Sequence, residues 1–166
     1  MMDRRVELCA MIRDGGIGVE LGVAEGEFSE KILANSKLSK LYSVDAWAGD
    51  RGHDNSEHMK AFDRLVRFGT RNHILKMRFG DACKTFPDAH FDFIYIDGYA
   101  HTGQEDGKTL DDWWPKLKKH GIFGGHDYDS RWPETQRTVD LFVAKHDLEL
   151  FGILDNPFSS WYVIKP

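Results

Sequence analysis

Cysteine is scarce: Cys9 and Cys83 are the only two in 166 residues. They make no C-x-x-C pair and no disulfide framework, and a reducing cytoplasm is the simplest home for such a chain. No apolar run reaches the roughly 18 residues that a membrane span needs. The opening Met1-Met2-Asp3-Arg4-Arg5 lacks an apolar h-region, so no signal peptide is expected. Basic residues form no block: 22 Lys and Arg stand against 27 Asp and Glu, a formal charge of -5. Neither nucleic acid nor membrane is therefore expected as a partner. G-x-G-x-x-G and G-x-x-x-x-G-K-[ST] are also missing, which argues against a dinucleotide fingerprint and a P-loop.

The composition that remains, 41% hydrophobic and 30% charged, is that of one globular domain over 1–166 with a real core. The chain is organised around one stretch. Ile17 to Leu21 reads as a buried strand; it breaks at Gly22, passes Ala24 and Gly26, and gives way to a helical pattern from Phe28. Strand, small-residue turn and helix in that order is how α/β proteins bind nucleotide-like ligands. The small residues let the backbone approach, and the helix N-terminus offers free N–H groups. Glu20, Glu25 and Glu27 crowd acid into this turn. A phosphate would be repelled there; a ligand with a positive centre and an amino group would not. An ordinary strand-to-helix turn, its acids complementing the helix dipole, uses the same residues.

The rest alternates. Further strands are expected over Lys40–Val44, His73–Met77, Phe91–Ile96 and Gly121–Gly125. Helices are expected over Arg5–Asp14, Ser29–Asn35, Glu57–Phe68, Thr109–Lys119 and Trp132–His146, with Trp113 and Trp114 on a core-facing stripe. Lys116, Lys118, Lys119 and His120 suit a helix C-terminus. Leu148–Leu154 and Ser160–Ile164 read as strands joined at Asn156-Pro157, with no helix between them, so they pair antiparallel. The expected fold is α/β and Rossmann-like: a doubly wound seven-stranded sheet, mostly parallel, with one antiparallel strand near the C-terminus.

Ligands of such sheets lie beyond the carboxyl ends of the strands. Glu20, Asp45, Asp81, Asp97 and Asp127 all fall at those ends, and a strand end does not require an acid. Asp45, closing the second strand, can accept two ribose hydroxyls through its two oxygens. Asp81 fits an exocyclic amine of a base, or a plain turn. Ala46 to Ser56 is polar and long enough for a lid, or for a solvated linker. Trp47 suits an adenine platform or the core. Asp97, His126 and Asp127 close neighbouring strands, and two carboxylates with an imidazole suit Mg2+ or another divalent cation. His101 fits a general base near neutral pH, or a helix cap.

These residues resemble a family. Glu20-x-Gly22-x-Ala24-x-Gly26, Asp45 and Gly80-Asp81-Ala82 follow the motif order of class I S-adenosylmethionine-dependent methyltransferases. Tyr95-Ile96-Asp97-Gly98-Tyr99-Ala100-His101, Trp113-Trp114-Pro115-Lys116-Leu117 and Gly124-Gly125-His126-Asp127-Tyr128 are similar to the methyltransferase domain 24 group, which includes macrolide-sugar O-methyltransferases and is related to catechol-type enzymes. The resemblance covers about Gly15 to Lys165. It implies that Glu20, Gly22, Ala24 and Gly26 hold the methionine portion of S-adenosylmethionine. Asp45, with Ala46 and Trp47 beside it, would hold the ribose, and Asp81 and Ala82 the adenine. Asp97 would border the cofactor and match, with Asp127, the metal carboxylates of the metal-dependent relatives. Two departures stand out: His126 occupies a position that is often acidic, and His101 lies four residues after Asp97 rather than three. The implied reaction moves a methyl group to an oxygen of a small hydroxylated acceptor, in a cytoplasmic enzyme with a homo-oligomer as a candidate assembly. Two alternatives stay open: a cofactor-binding module that needs a partner subunit, and a nucleotide-dependent oxidoreductase.

Overall fold

The computed structural model describes residues 3–49, 51–154 and 159–166. The Asn156-Pro157 turn and Asp50 of the expected lid lie outside the described residues. In chain order the elements are α1 (Val6–Met11), β1 (Ile17–Leu21), α2 (Glu27–Asn35), β2 (Lys40–Asp45) and α3 (Asn55–Leu65). Then follow β3 (Asn72–Lys76), α4 (Phe79–Lys84), β4 (Phe91–Ile96), α5 (Gly103–Asp106) and α6 (Lys108–Trp113). β5 (Leu117–Gly125), α7 (Pro133–His146), β6 (Phe151–Ile153) and β7 (Ser160–Ile164) complete the chain.

The seven strands form one sheet in the order β3-β2-β1-β4-β5-β7-β6. β7 is antiparallel to both its neighbours, and the other pairings are parallel. Neighbouring residues on a strand point to opposite faces. Thus Ile94 and Ile96 join one apolar cluster, with α4, α6 and α7, while Phe93 and Tyr95 join another, with α1 and α2. All six residues of β4 are buried, as a central strand covered on both faces requires. The strand order reverses between β1 and β4, so a crevice opens where those two strands end.

Local chemistry moved several boundaries. The α-helix expected over Thr109–Lys119 stops at Trp113 and tightens into a single 3-10 turn over Trp114–Lys116: Trp114 keeps helical backbone, but Pro115 has no N–H to continue the α-helical ladder, and Leu117 is extended. β5 therefore starts at Leu117, which pairs with Phe91. Lys118, Lys119 and His120 sit in this strand, where the register shifts, not at a helix end. His120 takes φ 62°, a turn rather than a helical conformation. α3 begins early, at Asn55, because the Asp54 carboxylate caps it by accepting from the Ser56 N–H at 2.8 Å. Asp81 is not at a strand end: it lies inside the short helix α4. α5 is a left-handed turn, with φ 59° at Gly103, 52° at Gln104, 58° at Glu105 and 55° at Asp106.

Candidate functional site

The turn after β1 is built by packing. Gly22 has φ 92°, and a Cβ there would lie 2.1 Å from the Asp97 carbonyl oxygen. Only glycine lets the ends of β1 and β4 come this close. Ala24 and Gly26 also have positive φ, 48° and 81°. The Asp45 carboxylate fixes this shape from the end of β2. Its Oδ2 accepts from the Val23 N–H at 2.9 Å and the Ala24 N–H at 3.1 Å, and its Oδ1 accepts from the Trp47 N–H at 3.0 Å. A carboxylate has about four acceptor positions, so Oδ1 keeps capacity for a further donor. The Trp47 indole N–H donates to the Ala24 carbonyl at 2.9 Å, and the ring is buried against Val23 and Ala61. Trp47 is thus a brace between turn and loop.

A cleft of about 570 Å³ runs along these strand ends, with Arg5, Glu20, Gly22, Asp97 and Asp127 among its walls. A smaller chamber of about 120 Å³ shares Gly22, Ala24, Asp97 and Tyr99 and adds Asp45, Ala46, Trp47, Phe79 and His101. Phe79 and Tyr99 meet edge-to-face at 5.1 Å and wall this chamber. The site residues read from the sequence therefore converge, with three exceptions. Gly26 lines neither space; it packs against Ala61 and Leu65 of α3. Asp81 is paired with Lys84 at 3.0 Å and faces a separate cavity of about 450 Å³. Ala82 is fully buried in the core.

Glu20 is 1% exposed, at the opposite end from Asp45. Burial pushes its carboxyl up to about 8, although a hydrogen bond from the Ser29 hydroxyl works against that rise. Ser29 Oγ also meets Ser43 Oγ at 2.7 Å, and Ser43 donates to Asn72 Oδ1 at 2.9 Å. The buried acid is thus wired to polar groups on one side and open to the cleft on the other. Asp97 lies between two cations: Arg5 Nη1 is 3.5 Å from Oδ2 and His126 Nδ1 is 3.5 Å from Oδ1. His126 Nδ1 is also 3.2 Å from Asp127 Oδ1. Burial pulls the imidazole down, but the two carboxylates outweigh it and raise His126 to about 9. Ligand atoms of Asp97, His126 and Asp127 all lie within 4.8 Å of one another. His101 is outside this cluster. Its Nδ1 meets the Arg51 guanidinium from the 46–54 loop. Arginine only donates, so that nitrogen is the acceptor in this contact.

Sequence reading missed Arg5, Arg51 and Phe79. Arg5 carries no local motif; Arg51 lies in the loop read as a lid or linker.

A family model described as a methyltransferase domain matches residues 19–128, which span β1 through the Asp127 corner. The chain belongs to that family. It is the methyltransferase domain 24 group indicated by the motifs around Asp97 and Asp127. Solved structures agree on the fold. An O-methyltransferase from Bacillus cereus in complex with SAH has a TM-score of 0.74 at 13% identity, over 98% of this chain and 80% of that one. A SAM-dependent O-methyltransferase from Thermotoga maritima gives 0.71 and 14%, over 99% and 66%. An rRNA methylase from Streptococcus thermophilus gives 0.70 and 16%, over 99% and 98%. The fold itself does not choose between small-molecule and RNA acceptors. No curated protein matches the sequence. Among the described residues, no helix of this methyltransferase-family chain is long and apolar enough to cross a membrane.

Proposed function

We propose that this chain transfers the methyl group of S-adenosylmethionine to an oxygen of a small hydroxylated acceptor, such as a sugar or polyol. The observation that carries the reading is the pair of carboxylates at the two ends of one crevice. Asp45 faces the chamber walled by Phe79 and Tyr99, and Glu20 faces the cleft beyond Gly22. Asp45 Oδ1 accepts a ribose hydroxyl with its spare position. Glu20, buried and hydrogen-bonded to Ser29 but to no cation among the described residues, receives an ammonium group. Phe79 and Tyr99 cover the base. The bound cofactor supplies a methyl group on a positive sulfonium, whose C–S bond breaks as the O–C bond to the acceptor forms.

The protein aligns the acceptor oxygen with that methyl group and takes one proton. His101 is the base, once its Nδ1 lone pair is released from Arg51; the acceptor proton ends on that nitrogen. The oxygen-rich Asp97, His126 and Asp127 set fits a divalent cation. A cation held there would lower the acceptor hydroxyl's pKa. The excess of cleft acids favours a cationic cofactor and repels anionic competitors.

Calorimetry with S-adenosylhomocysteine tests the reading. Wild-type chain should bind, and Asp45→Ala should lose at least ten-fold in affinity. Absence of heat from folded wild-type protein would remove the assignment. Magnesium heat abolished by Asp127→Ala supports the metal-assisted form, and none removes it. Cofactor binding without turnover on any hydroxylated acceptor would favour the partner-dependent module.

A further inference from the structure

We propose that Arg5 anchors the α-carboxylate of the bound cofactor, so that α1 completes the amino-acid end of the site. This inference rests on the S-adenosylmethionine reading above. Arg5 lies in the same cleft as Glu20, and its side chain is 16% exposed. Its guanidinium carbon sits 4.3 Å from the centre of the Phe28 ring. Its Nε and Nη2 donate to the Asp3 carboxylate at 2.8 to 3.1 Å. Asp3 also accepts from Lys31 Nζ at 2.8 Å, so its charge is shared between two cations. The Nη1 edge faces the cleft, where its nearest acid, Asp97 Oδ2, is 3.5 Å away. That is too long for a strong charge-assisted hydrogen bond. The buried Tyr95 hydroxyl also meets the Arg5 side chain. A guanidinium held by Asp3, Phe28 and Tyr95, lining the cleft and with no short bond to a cleft acid among the described residues, is preorganised for a carboxylate.

Charge balance points the same way. Six acids line the cleft (Glu20, Glu25, Glu27, Glu57, Asp97 and Asp127) against Arg5 and Arg51. An amino-acid end brings both an ammonium group and a carboxylate. Glu20 suits the first; the second would face acids alone without a fixed cation. Arg51 is exposed and engaged with His101, which leaves Arg5 as the buried guanidinium at that end.

Two ligands separate the amino-acid end from the nucleoside end. S-adenosylhomocysteine has both; 5′-methylthioadenosine has the nucleoside and sulfur only. Each is titrated by calorimetry into wild-type, Arg5→Gln and Arg5→Lys protein. Arg5→Gln is expected to weaken S-adenosylhomocysteine on the order of ten- to hundred-fold. Arg5→Lys weakens it less, because the charge survives and the planar fork does not. 5′-Methylthioadenosine should bind all three forms within about two-fold, which also reports that the variants are folded. Equal weakening of both ligands by Arg5→Gln, or none for S-adenosylhomocysteine, overturns the anchor while leaving the cofactor reading in place. Wild-type protein that binds neither ligand overturns the cofactor reading and the anchor with it.

Discussion

Asp45 serves two purposes with one side chain. Its three backbone acceptor bonds shape the turn, and its spare position faces the chamber. Asp45→Asn keeps the volume but turns one oxygen into a donor that must face a backbone N–H. We expect a loss of about 1–3 kcal/mol in urea denaturation, in addition to weaker cofactor binding. Asp45→Asn with wild-type stability would mean that the three bonds do not hold the turn. Glu20 gives a pH signature. Its folded carboxyl is raised from the ordinary 4.5 to about 8. Such a group contributes its stability fully below about 4.5 and loses it as pH rises through about 8, because the unfolded chain sheds the proton first. Unfolding free energy should therefore carry a falling component of up to about 1.4 kcal/mol per pH unit across that window, absent in Glu20→Gln. Matching pH profiles for the two proteins would refute it. Glu20, Asp45, Asp97 and Asp127 were legible in the sequence because each ends an apolar run at a predictable place. Arg5 was not, because 92 positions separate it from the Asp97 it approaches, and only the folded sheet brings them together.

At the scale of elements, glycine marks two different demands. Gly22 has positive φ and backbone atoms in the space of any Cβ; Gly52 has φ 89° and open space around it. Gly22→Ala should cost more than about 2 kcal/mol, and Gly52→Ala about 1 kcal/mol, from backbone strain alone. Urea midpoints of the two variants measure the difference, and equal midpoints would count against the packing explanation. Strand cores were readable because their apolar runs are short and bounded by turn residues. The Lys108 to Gly125 segment was misread at its centre. Leu110, Trp113, Trp114 and Leu117 have helical spacing, and that pattern outweighed the single Pro115 that ends the helix. The run from Lys118 to His120 looks like a helix terminus because a bulge in β5 exposes charged side chains just as a helix end does. α5 left no trace: three non-glycine residues with positive φ are held by Gln104, whose side-chain amide donates to the Thr135 hydroxyl across the fold.

Across the whole molecule, the sheet order followed from alternation and from the helix-free C-terminal pair. The acceptor did not, because the fold is shared by proteins with different substrates. Both cysteines report on global unfolding. Cys9 is 1% exposed, and burial pushes its thiol up to about 12; Cys83 is buried and raised as well. Neither is a thiolate near neutral pH, so a disulfide reagent should modify both slowly in the native protein. Both should become reactive together through the urea transition. Fast labelling of either without denaturant would contradict the packed core.

The placement of β7 has a consequence for how the molecule is made. This strand, the last in the chain, lies between β5 and β6. A growing polypeptide that has just produced Phe151–Ile153 has nothing to dock that strand against, and the free edge of β5 stays open. The cleft face near β1, β2 and β4 can take shape first, while the opposite flank waits for Ser160–Ile164 to emerge from the ribosome and slot into the gap.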